Sequence, residues 1–317
     1  SLDGGIAIFL NGVRIAYAYV DMTGGYYGFT TSSQGTFDIA GMDNSATEDM
    51  MVKLESLDST IGKKKDLEVI TNVPLQVKTK AMINGGGSLE VGNAQVKVDK
   101  EDGVTINGSS ITFAKPGSYT VWTELKDKEG ILRSNDITLN VVALENGTLL
   151  VDESFDSQLF PGTQYGGIWS LEDGKAQAVT EGDGWYLSNN QFSDFALSAD
   201  LTLKDGNAVG LTFRNTDNPS GNGYDLIIDA VDGKMKLCRR PYEAGWEIGS
   251  YTFSVEKNKP YHVDVIAEGD HFKVYLDGFL AIDATDSRYT SGRIGLFGNK
   301  STAQMLSLIH ISEPTRP

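Results

Sequence analysis

Gly269-Asp270-His271-Phe272-Lys273-Val274-Tyr275-Leu276-Asp277-Gly278-Phe279-Leu280-Ala281-Ile282 sets the fold class. Phe272, Val274 and Leu276 recur at every second position, the period of a strand with one buried face. Asp277-Gly278 tolerates the positive φ of a two-residue type I′ turn, so the stretch reads as a β-hairpin. A second such stretch, Gly4-Gly5-Ile6-Ala7-Ile8-Phe9-Leu10-Asn11-Gly12-Val13-Arg14-Ile15-Ala16, stands near the N-terminus. The match continues beyond the hairpin, with a one-residue slip. Thr290-Ser291-Gly292-Arg293-Ile294-Gly295-Leu296 aligns with Thr23-Gly24-Gly25-Tyr26-Tyr27-Gly28-Phe29. An internal repeat is the economical explanation. Residues 1–44 read as the C-terminal part of one sandwich, and residues 147–305 as a nearly whole second copy.

Between the copies, residues 48–143 differ in texture. Ala46–Leu57 carries a helix-like polarity. Alternating runs follow: Leu67–Ile70, Leu75–Thr79, Ala94–Val98, Ile111–Phe113, Tyr119–Trp122 and Ile137–Val141. Short strands separated by Gly, Asn and Pro turns predict a small sandwich. The C-terminal copy continues the theme through Phe195–Leu203, Ala208–Arg214, Gly223–Asp229 and Tyr261–Gly269. The fold class expected is all-β, in tandem antiparallel β-sandwiches.

Composition narrows the function. The 317 residues include 36 glycines, are 40% hydrophobic and carry a formal net charge of −16. Such acidity disfavours nucleic acid and suits a neutral partner such as a polysaccharide or oligosaccharide. No apolar run is long enough to span a membrane. The single cysteine, Cys238, rules out an internal disulfide and reads as a strand residue.

The order of phrases in the C-terminal copy resembles the concanavalin-like lectin/glucanase sandwich. More narrowly it resembles the fructan (levan)-binding modules of carbohydrate-binding family sixty-six, which accompany glycoside hydrolases of family thirty-two. The phrases are Asp183-Gly184-Trp185-Tyr186-Leu187-Ser188, Ser193-Asp194-Phe195, Gly210-Leu211-Thr212-Phe213-Arg214, Asn222-Gly223-Tyr224, Ile228-Asp229-Ala230, and Tyr261-His262 through Gly295. The resemblance implies an extracellular, non-catalytic sugar-binding region of a larger levanase-like enzyme. The chain departs from the pattern at Ser198, where such modules often carry Glu, and at Phe297-Gly298-Asn299, where they often carry Trp. Phe113-Ala114-Lys115-Pro116-Gly117-Ser118-Tyr119-Thr120-Val121 resembles bacterial immunoglobulin-like domains, which implies a spacer. Leu306–Pro317 resembles a translated sequencing adapter and is set aside as an artefactual tail, so the parent protein is expected to be larger.

Sugar sites pair an aromatic face with a few charged or amide groups. By that chemistry and the resemblance, the ligand-binding candidates are Asp183, Trp185, Arg214, Tyr224 and Asp229, with Trp246 as a further platform. The plain alternative makes Trp185 and Tyr224 core aromatics and Arg214–Asp229 a structural ion pair. A structural or adhesive surface protein is then the competing function. Catalysis has little support, because no Glu-x-Asp-x-x-Glu strand occurs. No cofactor motif is present: Asn84-Gly85-Gly86-Gly87 lacks the context of a phosphate loop. His262 and His271 lack Cys partners and read as surface strand residues. A structural calcium bound through Asp152 or Asp156 is compatible with such a sandwich.

Overall fold

The computed structural model describes residues 5–10, 13–19, 54–62, 66–83, 87–126, 130–143, 149–153, 155, 158–216 and 221–312. Among these the secondary structure is all β. In the C-terminal sandwich, two long strands organise everything else. Phe195–Asn215 and Gly292–Ser312 run antiparallel over nearly their full length, from Ala196↔Ile311 to Asn215↔Arg293. Both strands pass from one sheet into the other, with register shifts along the way. Gly206, at φ +94°, lies between the halves, where an added Cβ would stand 1.9 Å from the Lys300 carbonyl oxygen. Glycine at such a corner lets two backbones approach.

The first sheet places Gly223–Asp229, Lys234–Arg240 and Glu247–Thr252 on one side of the shared pair, and Asp183–Phe192 and Gly162–Tyr165 on the other. The second sheet places Pro260–Glu268, His271–Leu276 and Phe279–Thr285 on one side. Lys175–Val179, Ile168–Glu172 and Leu149–Glu153 lie on the other. Leu197, Leu211, Phe213, Leu226, Val265 and Phe272 fill the space between the sheets, all essentially inaccessible to water. Each such side chain contributes about 1.5–3 kcal/mol on burial.

The decisive hairpin forms as its sequence predicts. Asp277 and Gly278 take φ +49° and +85°, and a bulge interrupts the register between Val274 and Tyr275. The N-terminal hairpin, Gly5–Leu10 with Val13–Tyr19, has its bulge between Ile8 and Phe9. Leu10↔Val13 answers Leu276↔Phe279, and Ile8↔Ala16 answers Val274↔Ile282, so the two hairpins share one register. The matching Thr23–Phe29 lies outside the described residues.

The middle strands also form two facing sheets. One orders Asp66–Ile70, Ile137–Val142, Gly117–Lys126 and Gln95–Val98. The other orders Leu54–Ile61, Leu75–Ile83, Ser110–Phe113 and Val104–Asn107. Ile61, Val77, Phe113, Val121 and Leu139 pack between them. Among the described residues the paired strands are antiparallel except Asp66–Ile70, which runs parallel to Ile137–Val142; an isolated bridge, Leu57↔Ser134, is also parallel. Parallel neighbours need a long crossover, and here the intervening strands of the sandwich supply it. The helix-like polarity of Ala46–Leu57 gives way at its end to the strand Leu54–Ile61; residues 46–53 lie outside the described set. The final strand runs on to Ser312, so backbone of the adapter-like segment pairs with Leu149–Glu153. Ladder hydrogen bonds use main-chain groups, and Leu308-Ile309-His310-Ile311 can supply them whatever its origin.

Candidate functional site

Alternation assigns each strand of the first sheet an inner and an outer face. Tyr224, Leu226 and Ile228 point into the core, so Asp225, Ile227 and Asp229 point out. By the same rule Trp185, Leu187, Phe297, Ala208, Ile227 and Cys238 share the outer face, with Tyr165 and Trp246 packed against them. Two strands separate those of Trp185 and Asp225, yet Trp185 Nε1 lies 3.4 Å from Asp225 Oδ1. Gly210 and Gly295 stand on the intervening strands and carry no side chain to intrude.

Asp225 is the centre of this face and is 0% exposed. Thr212 Oγ1 donates to its Oδ1 at 2.7 Å, and Tyr242 OH donates to its Oδ2 at 2.8 Å. Arg240 Nε lies 2.8 Å from Oδ2. The Arg240 guanidinium is 1% exposed, reaches Thr212 and Asn215 through Nη2, and sits 5.0 Å from the Trp185 ring centroid. Burial pushes the Asp225 carboxyl up, against the pull of Arg240, Thr212, Tyr242 and Trp185. Burial likewise pushes the Tyr242 phenol up, so it remains a donor.

Above this buried pair, the turn Pro241–Trp246 carries two aromatic rings. Tyr242 is 43% exposed, and its ring meets that of Trp246 edge-on at 5.2 Å. Lys236 Nζ stands 5.9 Å from the Trp246 ring and bonds to Asp229 at 2.7 Å and Asp232 at 2.6 Å. Burial alone lowers the Lys236 ammonium, but the two carboxylates outweigh it and hold it above its ordinary value. At the opposite margin Asn299 Nδ2 donates to Asp183 Oδ1 at 2.6 Å. The face thus offers exposed aromatic surface, with carboxylates, amides and an ammonium held at fixed positions around it.

The five sequence candidates do not converge. Asp183, Trp185 and Asp229 lie on the outer face, with Trp246. Tyr224 lies in the core, and its OH donates to Asp286 Oδ1 at 2.7 Å. Arg214 is fully buried at a loop-bearing end, where it donates to the carbonyls of Ser193, Gly269 and Tyr289 and stacks on Phe272. An Arg214–Asp229 ion pair does not form. Phe213 pairs with Tyr224 and Ala208 with Asp229, so the two residues sit at opposite ends of neighbouring strands. Arg214 instead meets Asp194 at 3.4 Å. Asp225, Arg240 and Tyr242, which the structure brings to this face, do not stand out in the sequence. The signal available was Asp225 and Arg240 at outward positions of paired strands, followed by two closely spaced aromatics.

Ser198, one of the departures, donates to Asp264 on the outer face of the second sheet, away from this cluster. His262 is half-buried between Asp200 and Asp264 rather than a free surface residue. Among the described residues no group of three or more His, Cys, Asp or Glu is placed to hold a metal ion. Asp156 and the side chain of Asp152 lie outside them. Cys238 is buried in the strand Lys234–Arg240, and burial pushes its thiol up. A disulfide-exchange reagent is therefore expected to find no thiol in the native protein and one after unfolding. Labelling of the native state at the rate of a free thiol would show that this face opens.

The chain is similar to several known proteins. The B. subtilis (strain 168) levanase is 32% identical over 219 residues, which is 68% of this chain and 31% of the levanase, so the chain spans about a third of that relative's length. The solved carbohydrate-binding module CBM66 from B. subtilis is 36% identical, with a TM-score of 0.46, over 50% of this chain and 99% of the module. A galectin-like protein of unknown function from B. subtilis is 15% identical, with a TM-score of 0.43, over 54% of this chain and 99% of its own. The model of the 3-keto-alpha-glucoside-1,2-lyase-like domain matches residues 143–305, half of the chain. Through its C-terminal sandwich, the chain belongs to the family of 3-keto-alpha-glucoside-1,2-lyase-like domains.

Proposed function

We propose that this chain is a non-catalytic carbohydrate-binding region of a larger extracellular glycoside hydrolase, with a fructan such as levan as its ligand. The observation that carries this reading is the Tyr242–Trp246 aromatic pair, fixed over the buried Asp225–Arg240 pair on the outer face of the first sheet. Sugar C–H faces pack on such rings while hydroxyls bond to flanking polar groups. Asp183, Asp229 and Lys236 supply those groups; Trp185 supports the platform from below, and Arg214 and Tyr224 brace the loops. The likeness to a levanase supports the ligand, and a polymeric ligand fits the proposed extracellular setting. On this reading residues 1–44 end one sandwich, 48–143 form an immunoglobulin-like spacer, and 147–305 bind sugar. Tyr119 OH donating to the Lys115 carbonyl at 3.0 Å is a tyrosine-anchored turn compatible with that spacer.

Holding suits this face better than bond breaking. Asp225 is saturated by internal donors, so it is poorly placed to take a proton from a substrate. Individual affinity is expected at about 10–1000 μM, because a sugar offers little apolar area. Affinity-gel electrophoresis of the chain against levan and inulin tests the reading. Retardation is expected in levan, weakened about tenfold or more by Trp246→Ala, equivalent to ~1.4 kcal/mol. Absence of retardation by any glycan would favour a structural or adhesive protein instead.

A further inference from the structure

We infer that the middle and C-terminal sandwiches form one rigid body, locked where the Asp277-Gly278 hairpin of the second seats on the strand Asp66–Ile70 of the first. Three independent kinds of contact meet there. The first is backbone: Ile70 N donates to the Gly278 carbonyl at 3.0 Å, and Phe279 pairs with Val69. One sheet of the middle sandwich thereby continues into the C-terminal one. The second is apolar: Phe279 packs on the middle core, its ring 3.1 Å from where a Cβ on Gly62 would stand. Gly278 lies so close to Val73 that a Cβ there would come within 2.9 Å of its side chain.

The third is charge-assisted. Glu68 Oε1 accepts from Lys273 Nζ at 2.8 Å and from Tyr275 OH at 2.7 Å, while its Oε2 accepts from Asn140 Nδ2 at 3.1 Å. Burial raises the Glu68 carboxyl, but these donors outweigh it and hold the group below its ordinary value. Lys273 and Tyr275 alternate with the core residues Phe272, Val274 and Leu276, so they project from the outer face of the second sheet. A tyrosine on an outer face is ordinarily wet, yet Tyr275 is 0% exposed. The middle sandwich is what covers it.

The N-terminal hairpin supplies an internal control. In the same register, Ala7 stands where Lys273 does and Phe9 where Tyr275 does, and neither can donate to a carboxylate. The hairpin itself does not require the docking groups; the neighbouring module does. The lock uses the outer face of the second sheet, whereas the aromatic cluster lies on that of the first. The middle sandwich is therefore a mount that fixes the direction of the aromatic face rather than a flexible tether.

Calorimetry and small-angle scattering on the whole chain test this. The unsubstituted chain is expected to melt its two sandwiches in one transition. Lys273→Glu is expected to split it into two transitions separated by about 5 °C or more, and to increase the largest dimension in solution. Glu68→Lys combined with Lys273→Glu restores the opposed charges and should bring the transitions back together. That rescue separates loss of docking from misfolding. Two transitions in the unsubstituted chain, with Lys273→Glu changing neither them nor the scattering, would overturn the inference.

Discussion

Asp225→Ala is expected to destabilise the C-terminal sandwich by about 3–5 kcal/mol, the range for stripping one partner from a buried ion pair. Arg240 would keep its charge at 1% exposure with no carboxylate to face. Thr212, Tyr242 and Trp185 would lose an acceptor at the same time. At about 2–4 °C per kcal/mol for a domain of this size, the melting temperature should fall by roughly 6–20 °C. Urea unfolding should show a lower midpoint at an unchanged slope. Asp225→Ala combined with Arg240→Met should recover much of the loss, because no buried charge is then left unpaired. Additive losses in the double variant would mean that the two groups act separately. The same substitution bears on binding. Tyr242 is fixed by its bond to Asp225, and a freed ring must lose rotamer freedom on meeting a sugar. Levan retardation should therefore weaken even at temperatures where Asp225→Ala remains folded.

The fold was legible because strands such as Leu75–Ile83 alternate buried and exposed residues and the repeated hairpin turns at Asp-Gly. Leu54–Ile61 was harder, since its buried positions include Ser59. The hydroxyls of Ser59, Thr79 and Thr123 bond one another at 2.7–3.3 Å inside the middle sandwich, and these polar letters blur the apolar alternation. The outer face was half legible. Trp185, Asp183 and Asp229 fall on it, but the guanidinium of Arg214, a ligand candidate by sequence, is consumed by three loop carbonyls. Sequence shows a charged residue at a strand end without showing which way a bulge turns it. Arg214 has φ +49° and follows a register shift after Thr212, so simple alternation no longer predicts its direction. Asp225 is concealed for the opposite reason. It sits inside the apolar run of Gly223–Asp229, and only the pairing of strands reveals that Arg240 lies near enough to neutralise it.

His262→Gln should flatten the alkaline side of the stability profile. Nδ1 of the imidazole lies 2.8 Å from Asp200 Oδ1, and Nε2 lies 3.3 Å from Asp264 Oδ2. Only the imidazolium can donate to both carboxylates. Those two bonds raise its pKa to about 10, although burial works against them. Ser198 donates to Asp264 Oδ1 at 2.6 Å, and Asp277 accepts from the His262 backbone N–H at 3.0 Å, so the ring is also held in place. Because the folded pKa lies above the unfolded value of about 6.5, the contribution is complete below that pH and is lost as pH rises through about 10. The side chain is 34% exposed, and solvent screening reduces the effect to an expected 2–3 kcal/mol, roughly half the unscreened figure. Denaturant unfolding of both proteins at pH 6 and pH 10.5 measures it: His262→Gln should be the less stable at pH 6, with the gap narrowing by that amount at pH 10.5. Other titrating groups cancel in the difference. Following the His262 ring resonances by NMR gives the independent check, since titration near 6.5 would mean that the carboxylate clamp is not made in solution. A histidine held cationic across the physiological range cannot serve as a base. The serine, imidazole and carboxylate on the second sheet thus form a structural clamp despite their resemblance to a nucleophilic triad, in keeping with the binding role proposed above.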